Sequence, residues 1–253
     1  MSARAALLLA VPFAVLGFGL RLGETLWLQP LTWRIQPFVP SGLILGLGLG
    51  LIAASAVVPL SGYFLLTRSA RRRPRTWHID LARRRFAVNA SPHSKGPWTV
   101  TMGWVCGGLV LTERVPSQDR MRIAQLGAAT TISIVVAAAS MIMLVLLVVV
   151  NRPLLSLDPD GITVQRLGRQ IRLRWDELLP AGPPRPAERN PKVLVLYQAA
   201  PAGSPPRPSR LPARRLHIDT AFLADTIRHY ADNPHRRADI GTADELTALQ
   251  QTS

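Results

Sequence analysis

Cysteine occurs once, at Cys106, and lysine only twice, at Lys95 and Lys192. A single thiol excludes a disulfide scaffold. Charged residues fill 18% of the 253 positions, below the roughly 25% usual in soluble domains. Acidic residues are the scarcer sign: 15 Asp+Glu face 30 Lys+Arg, of which 28 are arginine, leaving a formal +15. There is no Walker-type loop, no GxSxG, no HExxH and no pair of carboxylates inside an apolar run. No enzyme is therefore expected, no catalytic residue is singled out, and neither a cofactor nor a metal is assigned. At 48% hydrophobic residues the chain is too apolar for a disordered protein.

Long uncharged runs decide the class. Ser41–Leu66 and a run from Ile123 or Leu126 to Val150 carry no charge over more than twenty positions each, enough to cross a hydrocarbon core. Ala5–Leu20 is shorter, the length of a signal-peptide core. Arg21 stands where a cleavage site would need small residues, so a retained anchor is expected. The stretch 96–112 is uncharged but barely long enough to span, and the alternation in WTVTM suits a strand equally well. If 96–112 crosses, 25 basic residues share one side against 5 opposite; if it does not, the division is 17 against 13. Positive residues collect on the cytoplasmic side, which favours four spans over three and puts both termini in the cytoplasm.

The expected fold is thus a helical membrane protein with a C-terminal α+β domain. Its parts are an N-terminal helical hairpin (1–66), a basic cytosolic segment (67–95), a second membrane pair (96–150), a soluble domain (151–241) and a short terminal helix (242–253). Gly42, Gly46 and Gly50 form GxxxGxxxG in the second run, a stripe that lets helices approach closely. It suits a helix pair within the chain and leaves a homo-oligomer open. Trp27 and Trp33 read as interfacial anchors. Arg21 and Glu24, one turn apart, read as an interfacial ion pair.

Between the second run and 96–112, eight arginines (Arg68, Arg71, Arg72, Arg73, Arg75, Arg83, Arg84 and Arg85) are opposed only by Asp80. Such juxtamembrane clusters attract anionic lipid at about 1 kcal/mol per residue, so the anionic inner leaflet is the expected partner. Nucleic acid is not, because no DNA-reading motif accompanies the charge. Residues 77–86 read as a hairpin turning at Leu81-Ala82-Arg83. His78-x-Asp80 and His217-x-Asp219 recur as a tripeptide pattern, and structural roles are preferred to a shared metal site.

Beyond Asn151 a period of two appears. LLSLDPDGITVQRLGRQIRLRWDEL reads as three strands, turning at Pro159-Asp160-Gly161 and at Gly168. Further strands are expected at 193–197 and 215–218, with ten prolines between Pro180 and Pro212 in exposed loops. Asp219 or Thr220 caps a helix to about Asp232, whose apolar stripe is Phe222, Leu223, Ile227 and Tyr230, and Thr242 to Glu245 is a capping box.

RPLLSLDPDGITVQ, the basic strand after it and Trp175-Asp176-Glu177-Leu178 resemble the opening of bacterial pleckstrin-homology-like (PH-like) domains in small membrane proteins. RRLHIDTAFLADTIRHYADNPHRRADIG resembles the tail of actinobacterial members. The similarity covers 152–241, where about five strands are readable against the seven usual in that fold. It implies a bacterial integral inner-membrane protein with a cytosolic binding or assembly module and a membrane-protein partner. The alternative is a subunit of a transporter or channel.

Overall fold

A computed structural model of the chain describes residues 2–115, 120–125, 127–150, 153–166, 169–180, 182–186, 188, 191–199 and 205–252. Gly168, expected at a turn, lies outside these, as do Leu126, Asn151, Arg152 and the side chain of Trp33. The chain begins with α1 (Ala3–Leu8), α2 (Ala10–Gly23), a π-helical stretch (Glu24–Leu28), α3 (Gln29–Ile35) and α4 (Ser41–Leu66). Strands β1 (His78–Asp80) and β2 (Arg85–Val88) follow, then α5 (Pro92–Gly108), β3 (Thr112–Val115), β4 (Arg120–Ile123) and α6 (Ala128–Val149). The remainder holds β5 (Leu155–Asp158), β6 (Gly161–Arg166), β7 (Arg169–Arg174), β8 (Leu194–Gln198), β9 (Arg207–Leu211), α7 (Thr220–Asp232) and α8 (Ala243–Thr252). Two compact units result: a helical unit of Met1–Arg71 with Lys95–Val150, and a sheet unit of Arg72–Ser94 with Asn151–Ser253.

In the helical unit, Ala3–Thr32, Ser41–Leu66 and Ala128–Val149 are long and apolar enough to cross a membrane. The first is longer than the Ala5–Leu20 run because Arg21 and Glu24 neutralise each other inside it, so helix continues past them. Its 30 residues extend about 45 Å at about 1.5 Å each, more than the roughly 30 Å of a hydrocarbon core. The third begins at Ala128 because Ile123 is taken up by the β3–β4 hairpin.

The stretch 96–112 is α-helical up to Gly108, not a strand. Its glycines explain why. A Cβ on Gly103 would lie 2.5 Å from the Ala14 carbonyl oxygen, and one on Gly107 2.6 Å from that of Phe18. Gly103-x-x-x-Gly107 is therefore the surface on which α5 meets α2. Gly96 presses against the Tyr63 ring of α4, and Trp104 Nε1 donates to Ser55 Oγ at 2.9 Å. The order of these contacts sets α5 parallel to α2 and antiparallel to α4. Lys95 Nζ donates to the Leu147 carbonyl, while Leu111 N donates to Ser133 Oγ at 3.4 Å. Helix α6 thus runs antiparallel to α5.

The sheet unit contains an antiparallel five-stranded sheet, β1-β2-β5-β6-β7, and the pair β8–β9. The expected segment 67–95 is divided: 72–94 are part of this unit, whereas 67–71 and Lys95 belong to the helical unit. Phe86 pairs with Leu157 and Val88 with Leu155. Trp77 stacks on Phe86 at 6.0 Å and its Nε1 donates to Thr226 Oγ1 at 3.3 Å. The core gathers Trp77, Phe86, Leu157, Ile162, Leu173 and Trp175 with the expected α7 stripe.

The three strands read in 154–178 form as expected, and Asp158 Oδ1 accepts from Asp160 N and Gly161 N to close their first turn. Asp219 accepts from Ala221 N and Phe222 N, capping α7, and Thr242 Oγ1 accepts from Glu245 N before α8. Two expectations in the Pro-rich part are corrected. Residues 215–218 give a single antiparallel bridge, Leu216 with Ala90, since the 3-10 turn Ala213–Arg215 shortens the run. Arg207–Leu211 is a strand rather than loop. Pro208, opposite Tyr197, is tolerated because β9 pairs only with β8.

Candidate functional site

The basic segment divides into arginines that build the fold and arginines that face solvent. Arg73 donates from Nη1 to Thr220 Oγ1 (3.3 Å) and from Nη2 to the Arg214 carbonyl (3.2 Å). Burial lowers its pKa from the usual arginine value, partly offset by Asp219. Arg85 Nε donates to Asp80 Oδ2 at 2.8 Å, across the last pair of the β1–β2 hairpin before its turn. That bond holds the Asp80 carboxyl below its usual range. Arg72, Arg75, Arg83 and Arg84 are exposed in the sheet unit, as is Arg68 in the helical unit. The side chain of Arg71 lies outside the described residues. Of the eight arginines, then, Arg73 and Arg85 are committed to internal partners, and five are available to an external anion.

The hairpin tip has two unusual features. Leu81 is 77% exposed, the most of any large apolar side chain described in the sheet unit. Arg84 has φ 44°, and among the described residues it is the one non-glycine with positive φ. Gly241, itself at φ +88°, packs on the Arg84–Arg85 peptide, where any Cβ would clash. The chain beyond α7 thereby braces the hairpin, and Gln250 Nε2 of α8 adds a bond to Thr76 Oγ1 at 3.0 Å.

Neither histidine motif gathers a metal set. Asp80 is paired with Arg85 and Asp219 caps α7, and among the described residues no three His, Cys, Asp or Glu are placed to hold an ion. His217 is pushed down in pKa by burial, then by Arg73 and His93. Cys106 is buried within α5.

Among the described residues, no other element packs against Gly42, Gly46 or Gly50, since a Cβ at each would meet no neighbouring atom within 4 Å. The pattern read as a packing stripe is open, and close packing falls to Gly103 and Gly107, which the sequence also spaces four apart. Trp27 is exposed in the π-helical stretch, as an interfacial anchor would be. Arg21 pairs with Glu24, and its guanidinium lies 5.1 Å from the Trp104 ring centroid.

A polar cluster went unread in the sequence. Glu245, almost fully buried, accepts from Tyr230 Oη at 3.2 Å, with Arg236 Nη1 3.8 Å away. Burial and Glu245 together raise the Tyr230 pKa. The capping-box spacing identified Glu245 as a helix start but gave no sign of its burial against α7. Compared with protein-family models, curated proteins and solved structures, the chain matches none.

Proposed function

We propose that the chain is a four-span inner-membrane protein whose cytosolic unit is a PH-like module for binding or assembly. The observation that carries this is the pairing of Phe86 with Leu157. Strands from before α5 and after α6 share one sheet, so both lie on one side of the bilayer and the chain between them crosses an even number of times. With α6 as one crossing, α5 is the other, antiparallel to it. The partition of 25 basic residues against 5 assigns the sheet unit to the cytoplasm.

The PH-like reading is supported by seven strands in two sheets followed by α7, of which Arg207–Leu211 is the one the sequence did not mark. The exposed arginines suit the anionic inner leaflet, and a membrane-protein partner is the natural client of such a module. Reporter fusions at 72–76, within 116–119 and after Ser253 test the topology. The expected pattern is cytoplasmic, external and cytoplasmic. Opposite signals at the first and last sites overturn it. Affinity purification from native membranes then tests assembly against transport: a recovered membrane-protein partner supports the former, and substrate-dependent flux in vesicles the latter.

A further inference from the structure

We propose that Arg73, Arg214 and His217 form a binding site for a soluble phosphate ester, where the stretch 213–220 is held between the residues before β1 and those after β2. Backbone bonds fix that place. The Pro74 carbonyl accepts from Asp219 N at 2.9 Å, the Asn89 carbonyl from His217 N at 3.1 Å, and the Arg215 carbonyl from Ser91 N at 2.7 Å. The Arg73 guanidinium reaches the same stretch, donating to Thr220 Oγ1 and to the Arg214 carbonyl. These two bonds leave its other N–H groups for a ligand. The Arg214 side chain is exposed and His217 is half-buried. All of these residues lie inside the sheet unit, so the site does not depend on the topology assigned above.

Cations gathered this closely oppose one another's charge. Burial lowers the Arg73 pKa, Asp219 raises it and Arg214 lowers it again. His217 is lowered by burial, then by Arg73 and His93. Asp219, the opposing carboxylate, already accepts from Ala221 N and Phe222 N. Neither Arg73 nor Arg214 forms an ion pair among the described residues. A doubly charged phosphate relieves this repulsion, and its oxygens match the planar donors of arginine. The first amides of α7 are taken by Asp219, so side chains and not the helix end would hold the anion. No large apolar side chain is exposed in 72–76, 89–93 or 213–220, which favours a ligand in solution over one embedded in lipid. Once bound, phosphate would join Arg73, from before the inserted helices, to Arg214 and His217, from after them, and so stabilise the sheet unit.

The test titrates inorganic phosphate into the full chain in phosphatidylcholine nanodiscs, with chloride holding ionic strength constant. Saturable binding by calorimetry is expected. Bound phosphate should also raise the His217 titration, because an anion favours the imidazolium. Histidine NMR reads that shift, with His217→Gln identifying the resonance. Arg214→Gln keeps the carbonyl that Arg73 uses and should weaken phosphate about tenfold or more, as loss of a charged hydrogen bond does. Arg207→Gln removes the same charge from the exposed start of β9 and should change affinity by less than about twofold, since distant exposed charges are screened. Binding that does not saturate, Arg207→Gln as damaging as Arg214→Gln, or a His217 titration unmoved by phosphate overturns the proposal. Phosphate should bind equally in nanodiscs carrying phosphatidic acid and in those with the same fraction of phosphatidylglycerol. Weaker binding with phosphatidic acid overturns the soluble source. Nanodiscs leave both faces open to phosphate, so a negative result counts against this site and not against the four-span reading.

Discussion

Phe86 and Leu157 are cross-strand partners in one antiparallel sheet, although α5, the β3–β4 hairpin and α6 all lie between them in the chain. The sheet unit is thus discontinuous in the chain, with α5, the β3–β4 hairpin and α6 inserted after its second strand. Its core cannot close until both pieces are present, because Trp77 and Phe86 come from one and Leu157, Trp175 and Tyr230 from the other.

A chain beginning at Arg72 in which a short Gly/Ser linker replaces residues 95–150 should therefore fold as a soluble domain. Residues 151–253 alone should not, lacking two strands and two large core aromatics. Circular dichroism and amide exchange distinguish the outcomes; cooperative unfolding of the 151–253 fragment would show that β1 and β2 are dispensable.

Within that linked domain, Trp77→Ala and Trp175→Ala should each cost about 3–5 kcal/mol, as large core truncations do. Trp175 is 2% exposed, opens the 3-10 turn that follows β7 instead of ending the strand as its alternation with Leu173 suggests, and donates from Nε1 to the Asp158 carbonyl at 2.9 Å. Trp77 is buried to a similar degree against Phe86. Denaturant melts read both, and an unchanged midpoint for either removes it from the core.

Acidification should destabilise the sheet unit partly through His217. Its pKa is lower folded than unfolded, so below about 6.5 the unfolded chain binds a proton the folded one refuses. Stability is full above that value and declines as pH falls toward the folded pKa. His217→Gln should flatten the slope between pH 7 and the folded value. A slope unchanged by the substitution would place the titration elsewhere.

Two glycine patterns of equal spacing should respond differently to bulk. Gly103→Leu drives a side chain into the α2 backbone and should cost at least the roughly 1–3 kcal/mol of an overpacked core. A Cβ on Gly46 meets no neighbouring atom within 4 Å among the described residues, so Gly46→Leu should leave thermal stability in detergent nearly unchanged. A loss of oligomer or partner with Gly46→Leu, at constant monomer stability, would show that another molecule uses the open stripe.

Much of the fold is local and was legible as such. An uncharged run of twenty or more residues announces a span without knowledge of its neighbours, as in Ser41–Leu66. Period-two alternation marked β5 to β7, and Asp219 and Thr242 marked two helix starts, because caps and turns are satisfied by residues close in sequence. The candidate site was legible only as a density of arginine.

The remainder depends on contacts between distant residues. Which arginines face outward was decided by Thr220, Arg214 and Asp80, whose bonds remove Arg73 and Arg85 from the solvent-facing set. Strand Arg207–Leu211 exists because β8 offers it a partner, despite its proline. Helix α5 was ambiguous by composition and resolved by the surfaces of α2 and α4, which its glycines fit. Sequence by itself determined the apolar spans, the arginine density and the helix caps, each fixed by neighbouring residues and by the solvent they meet. Tertiary structure alone decided that the β1–β2 hairpin and a C-terminal sheet are one domain, because cross-strand hydrogen bonds and core burial reward pairs of residues whatever their separation along the chain.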